Sequence, residues 1–303
     1  VLLINDPFQA STQYTSVMNH PLLNELNQAQ SDAVSAPETN LLVLAGAGSG
    51  KTRVLVHRVA WLMQMHEISP FSIMAVTFTN KAAREMQGRL ETLTQRSARS
   101  MWVGTFHGLC HRFLRTHWAE ANLAQHFQVL DSDDQNKIVK RIIAELNLDD
   151  KKFPVRQAVG FINNQKDEGI RAAHVQARGD YYHDRLVDIY ALYEEQCEAK
   201  DLVDFGELLL RAHETLRDNA ELLAHYRQRF RHILVDEFQD TNAVQYAWLR
   251  LLAGAETHVM AVGDDDQSIY RWRGAKVENI RAFENYFAPV VTVRLTRNYR
   301  STA

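Results

Sequence analysis

The feature that most constrains this chain is the segment at residues 45–52, AGAGSGKT, which separates an apolar run from a helical pattern. Residues 41–45 are continuously apolar, as expected of a buried strand, and residues 51–66 repeat their apolar positions with helical spacing. Small residues at such a turn let backbone N–H groups close around phosphate oxygens, while Lys51 neutralises the terminal phosphates and the Thr52 hydroxyl can ligate Mg²⁺. The segment therefore predicts a phosphate-binding loop made by Ala45, Gly46, Ala47, Gly48, Ser49, Gly50, Lys51 and Thr52.

Ala45 stands where the standard pattern of such a loop has glycine, which is a mild departure. A glycine-rich turn between strand and helix that binds no nucleotide is the alternative. A phosphate-binding loop also needs an acidic partner at the end of another strand. The sequence at 232–237, HILVDE, supplies it: an apolar run carries Asp236 to the carboxyl edge of the sheet, where it can hold Mg²⁺. Glu237 can then orient and deprotonate an attacking water, although a structural ion pair is the alternative for these two carboxylates.

Short apolar runs alternate with longer helical patterns along most of the chain. Because most runs are too continuously apolar for a strand with one wet face, they predict a parallel sheet covered on both sides, with strands at 41–45, 73–77, 101–104, 232–236, 258–262 and 290–295. Helices are predicted at 51–66, 80–95, 105–118 and 241–253. This alternation is typical of a doubly wound α/β domain.

The strand signal disappears between residues 119 and 230, where helical patterns follow one another at 132–147, 154–167, 183–200 and 204–217. We therefore expect an all-helical insertion in the sheet domain. Charge also changes here: residues 75–118 carry seven Lys/Arg against two Glu, a net +5, whereas residues 119–230 carry 15 basic against 21 acidic groups, a net −6. A basic stretch beside an acidic one favours a directed surface for a polyanion, although a solvated face is the common alternative.

Composition excludes few classes of function. The 303 residues are 46% hydrophobic and 23% charged, which is ordinary for a globular protein with a sizeable core, and the net charge of −3 gives no sign of a polyanion partner. No apolar run reaches the length of a membrane span. Residues 1–22 lack the basic start of a signal peptide, and we expect them to form a poorly ordered extension instead. Cys110 and Cys197 lie far apart in sequence, which favours reduced thiols in a cytoplasmic protein.

Other segments decide which kind of enzyme uses this loop, since kinases, GTPases and motors all pair it with an acidic strand. They are residues 77–83 (TFTNKAA), 103–108 (VGTFHG), 236–241 (DEFQDT), 263–275 (GDDDQSIYRWRGA) and 295–301 (LTRNYRS). In order and spacing they resemble the motifs of superfamily 1 DNA helicases of the UvrD/Rep/PcrA type, from about residue 26 to residue 303. Three segments of the insertion look like the UvrD branch, namely 129–135 (VLDSDDQ), 165–169 (QKDEG) and 202–205 (LVDF).

The resemblance implies a RecA-like P-loop fold with ATP and Mg²⁺ as cofactors. Gln30 would hydrogen-bond the adenine edge, and Arg53 and Tyr299 would sandwich the base. Gln267 would touch the γ-phosphate and the attacking water, while Arg300 would contact the γ-phosphate from the far side of the cleft; a surface arginine is the alternative for Arg300. The implied catalytic set is Lys51, Asp236, Glu237, Gln267 and Arg300, with Thr52 and Asp236 as the Mg²⁺ ligands.

Binding of single-stranded DNA without sequence readout needs aromatic platforms and a surface that follows the backbone. Tyr270 and Trp272 lie two positions apart, so they share a face in an extended segment. With Phe78 they are the predicted stacking residues, although each aromatic taken singly is more often a core residue. Neutral donors near strand ends and helix starts are the predicted phosphate contacts: Thr77, Asn80, Thr105 and His107.

The resemblance divides the chain into an extension at 1–22, a first RecA-like domain at 23–105 and 231–296, a helical insertion at 106–230, and the start of a second RecA-like domain at 297–303. It implies a 3′–5′ helicase, a monomer or weak dimer, that acts on single-stranded DNA and single-strand/double-strand junctions. Repair or replication in the bacterial cytoplasm, on nucleoid DNA and with repair proteins as partners, is the implied setting. An arginine of the second domain would complete the active site, so we expect these 303 residues alone to hydrolyse ATP poorly. A catalytically idle binding module and the ATPase part of a helicase–nuclease stay open as alternatives.

Overall fold

The computed structural model describes residues 20–176, 179–264 and 278–299. Within these ranges the strands are β1 (Asn40–Ala45), β2 (Ile73–Thr77), β3 (Trp102–Thr105), β4 (Gln128–Val129), β5 (Leu202–Val203), β6 (His232–Val235), β7 (His258–Gly263) and β8 (Val290–Leu295). Six of them form one sheet in the order β3-β2-β6-β7-β1-β8, and every pairing in it is parallel. The predicted doubly wound parallel sheet is confirmed.

Both faces of this sheet are buried along five of its strands, β1, β2, β3, β6 and β7, whereas the edge strand β8 is largely exposed. Side chains along a strand point alternately to opposite sides of the sheet. In β1, Leu42 and Leu44 join a core that includes Phe106, whereas Leu41 and Val43 join a second core on the other face. This alternation explains why the strands read as continuously apolar in the sequence.

Eleven α-helices are present in the described part of the chain. They are α1 (Gln28–Ser35), α2 (Lys51–Met65), α3 (Asn80–Thr94), α4 (Phe106–Thr116), α5 (Ser132–Glu145), α6 (Val155–Asp167), α7 (Tyr181–Glu198), α8 (Phe205–Asp218), α9 (Ala220–Arg229), α10 (Ala243–Leu252) and α11 (Glu278–Tyr286). Helices α1 to α3 contribute to the core on one face of the sheet, and α4 and α8 to α11 contribute to the core on the other.

Within the predicted insertion, residues 106–230, only α5, α6 and α7 share a hydrophobic core of their own, between Leu130 and Cys197. Helices α4, α8 and α9 instead pack against the sheet domain. Phe113, Leu209 and Tyr226 of these helices lie in the same core as Trp102 of β3. Their apolar faces therefore pack in the core of the sheet domain, and the domain bounds 106–230 stay a prediction.

The insertion is also not entirely helical. Strands β4 and β5 pair in parallel, and the ladder is extended by bonds from the Gln128 N–H to the Asp201 carbonyl at 2.8 Å and from the Leu130 N–H to the Val203 carbonyl at 2.9 Å. Two-residue strands give no periodic signal in a sequence, which is why they were missed.

Residues 20–22 pack on the folded domain, although the extension was expected to reach residue 22. Leu22 is buried, its carbonyl lies 2.8 Å from Nδ1 of His57, and the His20 ring meets Trp61 edge-on at 5.3 Å between centroids. Residues 1–19 lie outside the described residues. No helix in the described ranges is both long and apolar enough to cross a membrane.

Candidate functional site

The predicted phosphate-binding loop joins β1 to the first turn of α2. Gly48 and Gly50 have φ angles of 75° and 89°, in the left-handed region that glycine adopts without a steric penalty. A Cβ atom on Gly50 would lie 2.8 Å from Nε2 of Gln30. Ser49 closes the loop, since its hydroxyl donates to the Gly46 carbonyl at 2.7 Å. The loop shape therefore depends on glycine and directs the N-terminus of α2 toward the site, an arrangement suited to anions.

Lys51, the first residue of α2, contacts carboxylates from two neighbouring strands. Its Nζ lies 2.9 Å from Oε2 of Glu237, which follows β6, and 3.8 Å from Oδ2 of Asp264, which follows β7. The Lys51 side chain is only 10% exposed. The predicted phosphate-binding cation and the predicted base thus meet at the carboxyl edge of the sheet, where ligands of such folds bind.

Thr52 and Asp236, the predicted Mg²⁺ ligands, are in direct contact. The Thr52 hydroxyl donates to Oδ2 of Asp236 at 3.0 Å. Asp236 is 1% exposed, and burial followed by repulsion from Glu237 raises its pKa to about 6. A buried carboxyl of this kind is stabilised in its charged form by a cation, and carboxylate and hydroxyl oxygens are suitable Mg²⁺ ligands. The donor set therefore fits Mg²⁺.

The predicted base-reading residues lie against the phosphate-binding loop. Nε2 of Gln30 donates to the Ser49 carbonyl at 2.8 Å, while its Oε1 accepts from the Asn27 N–H at 3.1 Å. The Tyr299 N–H donates to the Gly48 carbonyl at 2.9 Å, and its hydroxyl accepts from Nδ2 of Asn27 at 2.7 Å. Asn27, which the sequence did not single out, thus joins both. The adenine contact of Gln30 stays a prediction.

A cavity of about 1200 Å³ runs from this loop into the region predicted for DNA. Its walls include the predicted base-stacking pair, Arg53 and Tyr299, and Arg53 forms an ion pair of 2.6 Å with Glu25. Among the predicted DNA contacts, Thr77, Phe78 and His107 also line it. Residues predicted to bind the nucleotide and residues predicted to bind DNA therefore line one continuous cavity.

The predicted DNA contacts differ in how accessible they are. Phe78 is half-buried and packs edge-on against Phe106 at 5.4 Å, and Asn80 is exposed at the start of α3. Thr77 is 1% exposed. The hydroxyl of Thr105 accepts the Gly108 N–H at 3.1 Å and caps α4, so its structural role is clear while its DNA contact stays a prediction.

Phe205, at the start of α8, is a candidate that sequence reasoning missed. Its side chain is 50% exposed, lines the same cavity and meets the His107 ring edge-on at 5.8 Å. Burial lowers the pKa of His107, which keeps its imidazole neutral near pH 7. An exposed aromatic after the LVD sequence at 202–204 was the available signal, but a single residue carries no periodicity.

Four predicted site residues lie outside the described residues, namely Gln267, Arg300, Tyr270 and Trp272. The structure therefore does not test their predicted roles. In the ranges that the structure describes, no cluster of three or more His, Cys, Asp or Glu side chains is arranged to hold a metal ion.

Comparison with known proteins decides the family. The model of the UvrD/REP helicase N-terminal domain matches residues 26–288. The chain belongs to the UvrD/REP helicase family. The matched range of this UvrD/REP helicase chain includes the phosphate-binding loop, the acidic pair at the end of β6 and the whole insertion.

Bacterial helicases are similar to this UvrD/REP chain over most of its length. DNA helicase II of Escherichia coli is 60% identical over 282 residues, and that of Haemophilus influenzae is 52% identical over 286 residues. ATP-dependent DNA helicase PcrA of Staphylococcus aureus is 42% identical over 282 residues. Each match covers 93% of this chain but 39% of the relative. The chain thus spans about two fifths of the length of these relatives.

Proposed function

We propose that this chain is the ATP- and single-stranded-DNA-binding part of an ATP-dependent DNA helicase. The observation that carries the proposal is the convergence of Lys51, Thr52, Asp236 and Glu237 at one edge of the sheet, in a cavity that continues to Phe78. Side chains suited to bind phosphate, to bind a metal ion and to accept a proton thus lie in the same cavity as an aromatic ring suited to stack on DNA bases.

The chemistry follows from these four side chains. Lys51 would exchange its contact with Glu237 for the terminal phosphates of ATP. Thr52 and Asp236 would hold Mg²⁺, which neutralises charge on the phosphates when bound. Glu237, released from Lys51, would orient a water and accept its proton. Gln267 and Arg300 are the further proposed contacts of the γ-phosphate.

The finer parts of the proposal rest on family membership and on the names of the relatives, which are DNA helicases. These finer parts are 3′–5′ translocation on single-stranded DNA, unwinding at junctions, and a role in repair or replication of bacterial DNA in the cytoplasm. Stacking of DNA bases on Phe78, Tyr270 and Trp272 belongs to the same proposal. So do backbone contacts from Thr77, Asn80, Thr105 and His107.

The test is binding and hydrolysis of ATP by the purified chain, with and without single-stranded DNA, for the natural sequence and for Lys51→Ala. We expect Mg²⁺-dependent binding of a fluorescent ATP analogue that Lys51→Ala weakens at least tenfold, because the charge facing the phosphates is lost. Lys137→Ala is the matched control, since Lys137 is exposed on α5. Equal ATP affinity of the natural sequence and Lys51→Ala would contradict the proposal.

A further inference from the structure

Gln239 connects the ends of two neighbouring strands. It lies in a 3₁₀ turn, Phe238–Asp240, directly after the acidic pair of β6, and is 3% exposed. Its Nε2 donates to Oε2 of Glu237 at 2.8 Å, and its Oε1 accepts from the Asp264 N–H at 3.0 Å. A buried side chain thus ties the proposed base of β6 to the backbone that follows β7.

The two contacts fix which way the amide of Gln239 faces. A reversed amide would point its oxygen at the carboxylate of Glu237 and its NH₂ group at the N–H of Asp264, and both pairings would be repulsive. The fold also reserves space for this amide at Gly263, where a Cβ atom would lie 3.0 Å from Oε1 of Gln239 and 3.5 Å from its backbone nitrogen. The orientation is therefore built into the ends of both strands.

Glu237 needs such a partner because its own backbone is unusual. It has a φ of 48° and a ψ of 47°, the left-handed conformation that non-glycine residues seldom adopt. Such a conformation persists only when the surrounding contacts hold it. Lys51 and Gln239 both bind Oε2 of Glu237, which leaves Oε1 as the oxygen able to take a proton from water.

We propose that Gln239 is a positioning residue for ATP hydrolysis, which holds Glu237 through Oε2 so that Oε1 faces the attacking water. This inference rests on the proposed function. When Lys51 turns to the phosphates, Gln239 keeps its bond to Glu237, because neither of its two contacts involves the Lys51 side chain. The Glu237 carboxylate thereby keeps its orientation when its ion pair with Lys51 is broken.

The experiment measures single-turnover ATP hydrolysis, relative to the slow hydrolysis expected of this chain, and ATP-analogue affinity for Gln239→Met, Glu237→Gln and the double variant. Methionine has nearly the shape of glutamine without its hydrogen bonds. We expect Gln239→Met to slow hydrolysis at least tenfold with affinity within about threefold, an effect within the range of general-base catalysis. In the Glu237→Gln background the same change should have no further effect, because the residue acts through Glu237.

A second variant tests whether the side chain at position 239 interacts with Glu237 during hydrolysis. Gln239→Glu places a carboxylate beside Glu237, within a site that already holds Asp236, Asp264 and Lys51. Two facing carboxylates favour protonation of one of them. We therefore expect the acidic limb of the pH–rate profile to move to higher pH. Gln87→Met is the control, since Gln87 donates to the Val103 carbonyl at 2.8 Å outside the site, and should leave the profile unchanged.

The outcomes separate the two proposals. An unchanged rate in Gln239→Met, a loss that adds fully to that of Glu237→Gln, or an unmoved pH profile in Gln239→Glu would overturn the role of Gln239. If Glu237→Gln hydrolyses ATP as fast as the natural sequence, the proposed role of Glu237 itself fails. Should Gln239→Met not fold, as judged by its melting temperature, the pH profile of Gln239→Glu decides.

Discussion

The ammonium of Lys51 and the carboxylate of Glu237 form an ion pair of 2.9 Å at the carboxyl edge of the sheet. The cation suited to the phosphates of ATP is thus bound by the side chain suited to deprotonate water. In the proposed function, phosphate and Glu237 would compete for one ammonium group. The charge at position 237 should therefore affect nucleotide binding as well as the rate of hydrolysis.

Replacing Glu237 by Gln should separate these two effects. Loss of the negative charge frees Lys51 and removes repulsion toward phosphate, so we expect ATP to bind severalfold more tightly. Loss of the base should slow hydrolysis by roughly 10²-fold or more. Fluorescence titration with an ATP analogue and single-turnover hydrolysis measure the two, with Glu195→Gln on the exposed side of α7 as control. Weaker ATP binding by Glu237→Gln would contradict the competition.

Asp236→Asn should stabilise the fold in buffer without divalent metal. Burial, then repulsion from Glu237, raises the pKa of Asp236 from 3.8 to about 6. The folded state therefore holds this proton more tightly than the unfolded state, and the stability from the neutral carboxyl is lost as pH rises from about 4 through 6. The shift corresponds to at most about 3 kcal/mol at neutral pH.

Thermal melts of Asp236→Asn and the natural sequence between pH 4 and 8 test this directly. We expect the variant to melt at the higher temperature at pH 7, with the difference vanishing toward pH 4. Exposed Asp150→Asn should show no such trend. Added Mg²⁺ and ATP should stabilise the natural sequence more than Asp236→Asn, because Asp236 is a proposed metal ligand. A constant difference across the pH range would contradict the raised pKa.

Gly50→Ala should damage the loop in two ways. The φ of 89° costs an L-residue about 1–2 kcal/mol, and the new Cβ would displace the Gln30 amide from the Ser49 carbonyl. We expect at least tenfold weaker ATP binding. Gly88→Ala is the matched control, because Gly88 lies inside α3 with nothing within 4 Å of its Cβ position. That change should stabilise the helix by about 0.5–1 kcal/mol, and equal ATP binding by both variants would contradict the role of the loop.

Much of the fold could be predicted because buried parallel strands leave a strong signal. The run at 73–77 was predicted with the same limits that β2 has in the structure. Helix α1, by contrast, was missed because it is eight residues long and buries only three of them, Gln30, Ala33 and Val34. Helix α9 buries only Leu222 and Tyr226. Elements with so few buried positions show little periodicity.

The site was predictable where one motif or one strand end defines it. Lys51, Asp236 and Glu237 were expected together because the carboxyl ends of parallel strands meet at one sheet edge. Asn27 could not be found in this way, since its contact with Tyr299 joins residues 272 positions apart. The orientation of Gln239 likewise depends on Asp264, which lies on another strand end. Such roles arise only from the three-dimensional arrangement.

A buried ion cluster joins the insertion to α8, and breaking it should be costly. Nζ of Lys166, 2% exposed, lies 2.8 Å from Asp204 and 3.1 Å from Glu207. Burial alone would lower the pKa of Lys166, but Asp204 and Glu207 raise it. Lys166→Met leaves the buried carboxylate of Asp204 without its cation, while Glu207 keeps its ion pairs with Arg171 and Arg211. Because breaking a buried pair leaves an uncompensated charge, we expect a loss of about 3–5 kcal/mol in urea unfolding.

The matched control for Lys166→Met is Lys137→Met. Lys137 pairs with Asp134 at a similar distance, 2.9 Å, but is 71% exposed. Its removal should leave the unfolding midpoint unchanged, because water replaces the lost contact. Equal unfolding midpoints for both variants would contradict a larger stabilising contribution from the buried Lys166 cluster.

Phe205 and Phe71 offer a matched test of the DNA surface, since they are 50% and 53% exposed and only Phe205 lines the cavity. A stacked base contributes about 1–3 kcal/mol per aromatic platform. Phe205→Ala should therefore weaken binding of single-stranded DNA by roughly five- to 150-fold at constant salt. Phe71→Ala should leave the affinity unchanged, and both variants should melt near the natural sequence because half-exposed rings contribute little to the core.

Fluorescence anisotropy with a labelled oligonucleotide measures the affinities. If both substitutions weaken DNA binding equally, the cavity is not the DNA path; if neither does, the bases bind without Phe205 and the exposure of its ring has another cause.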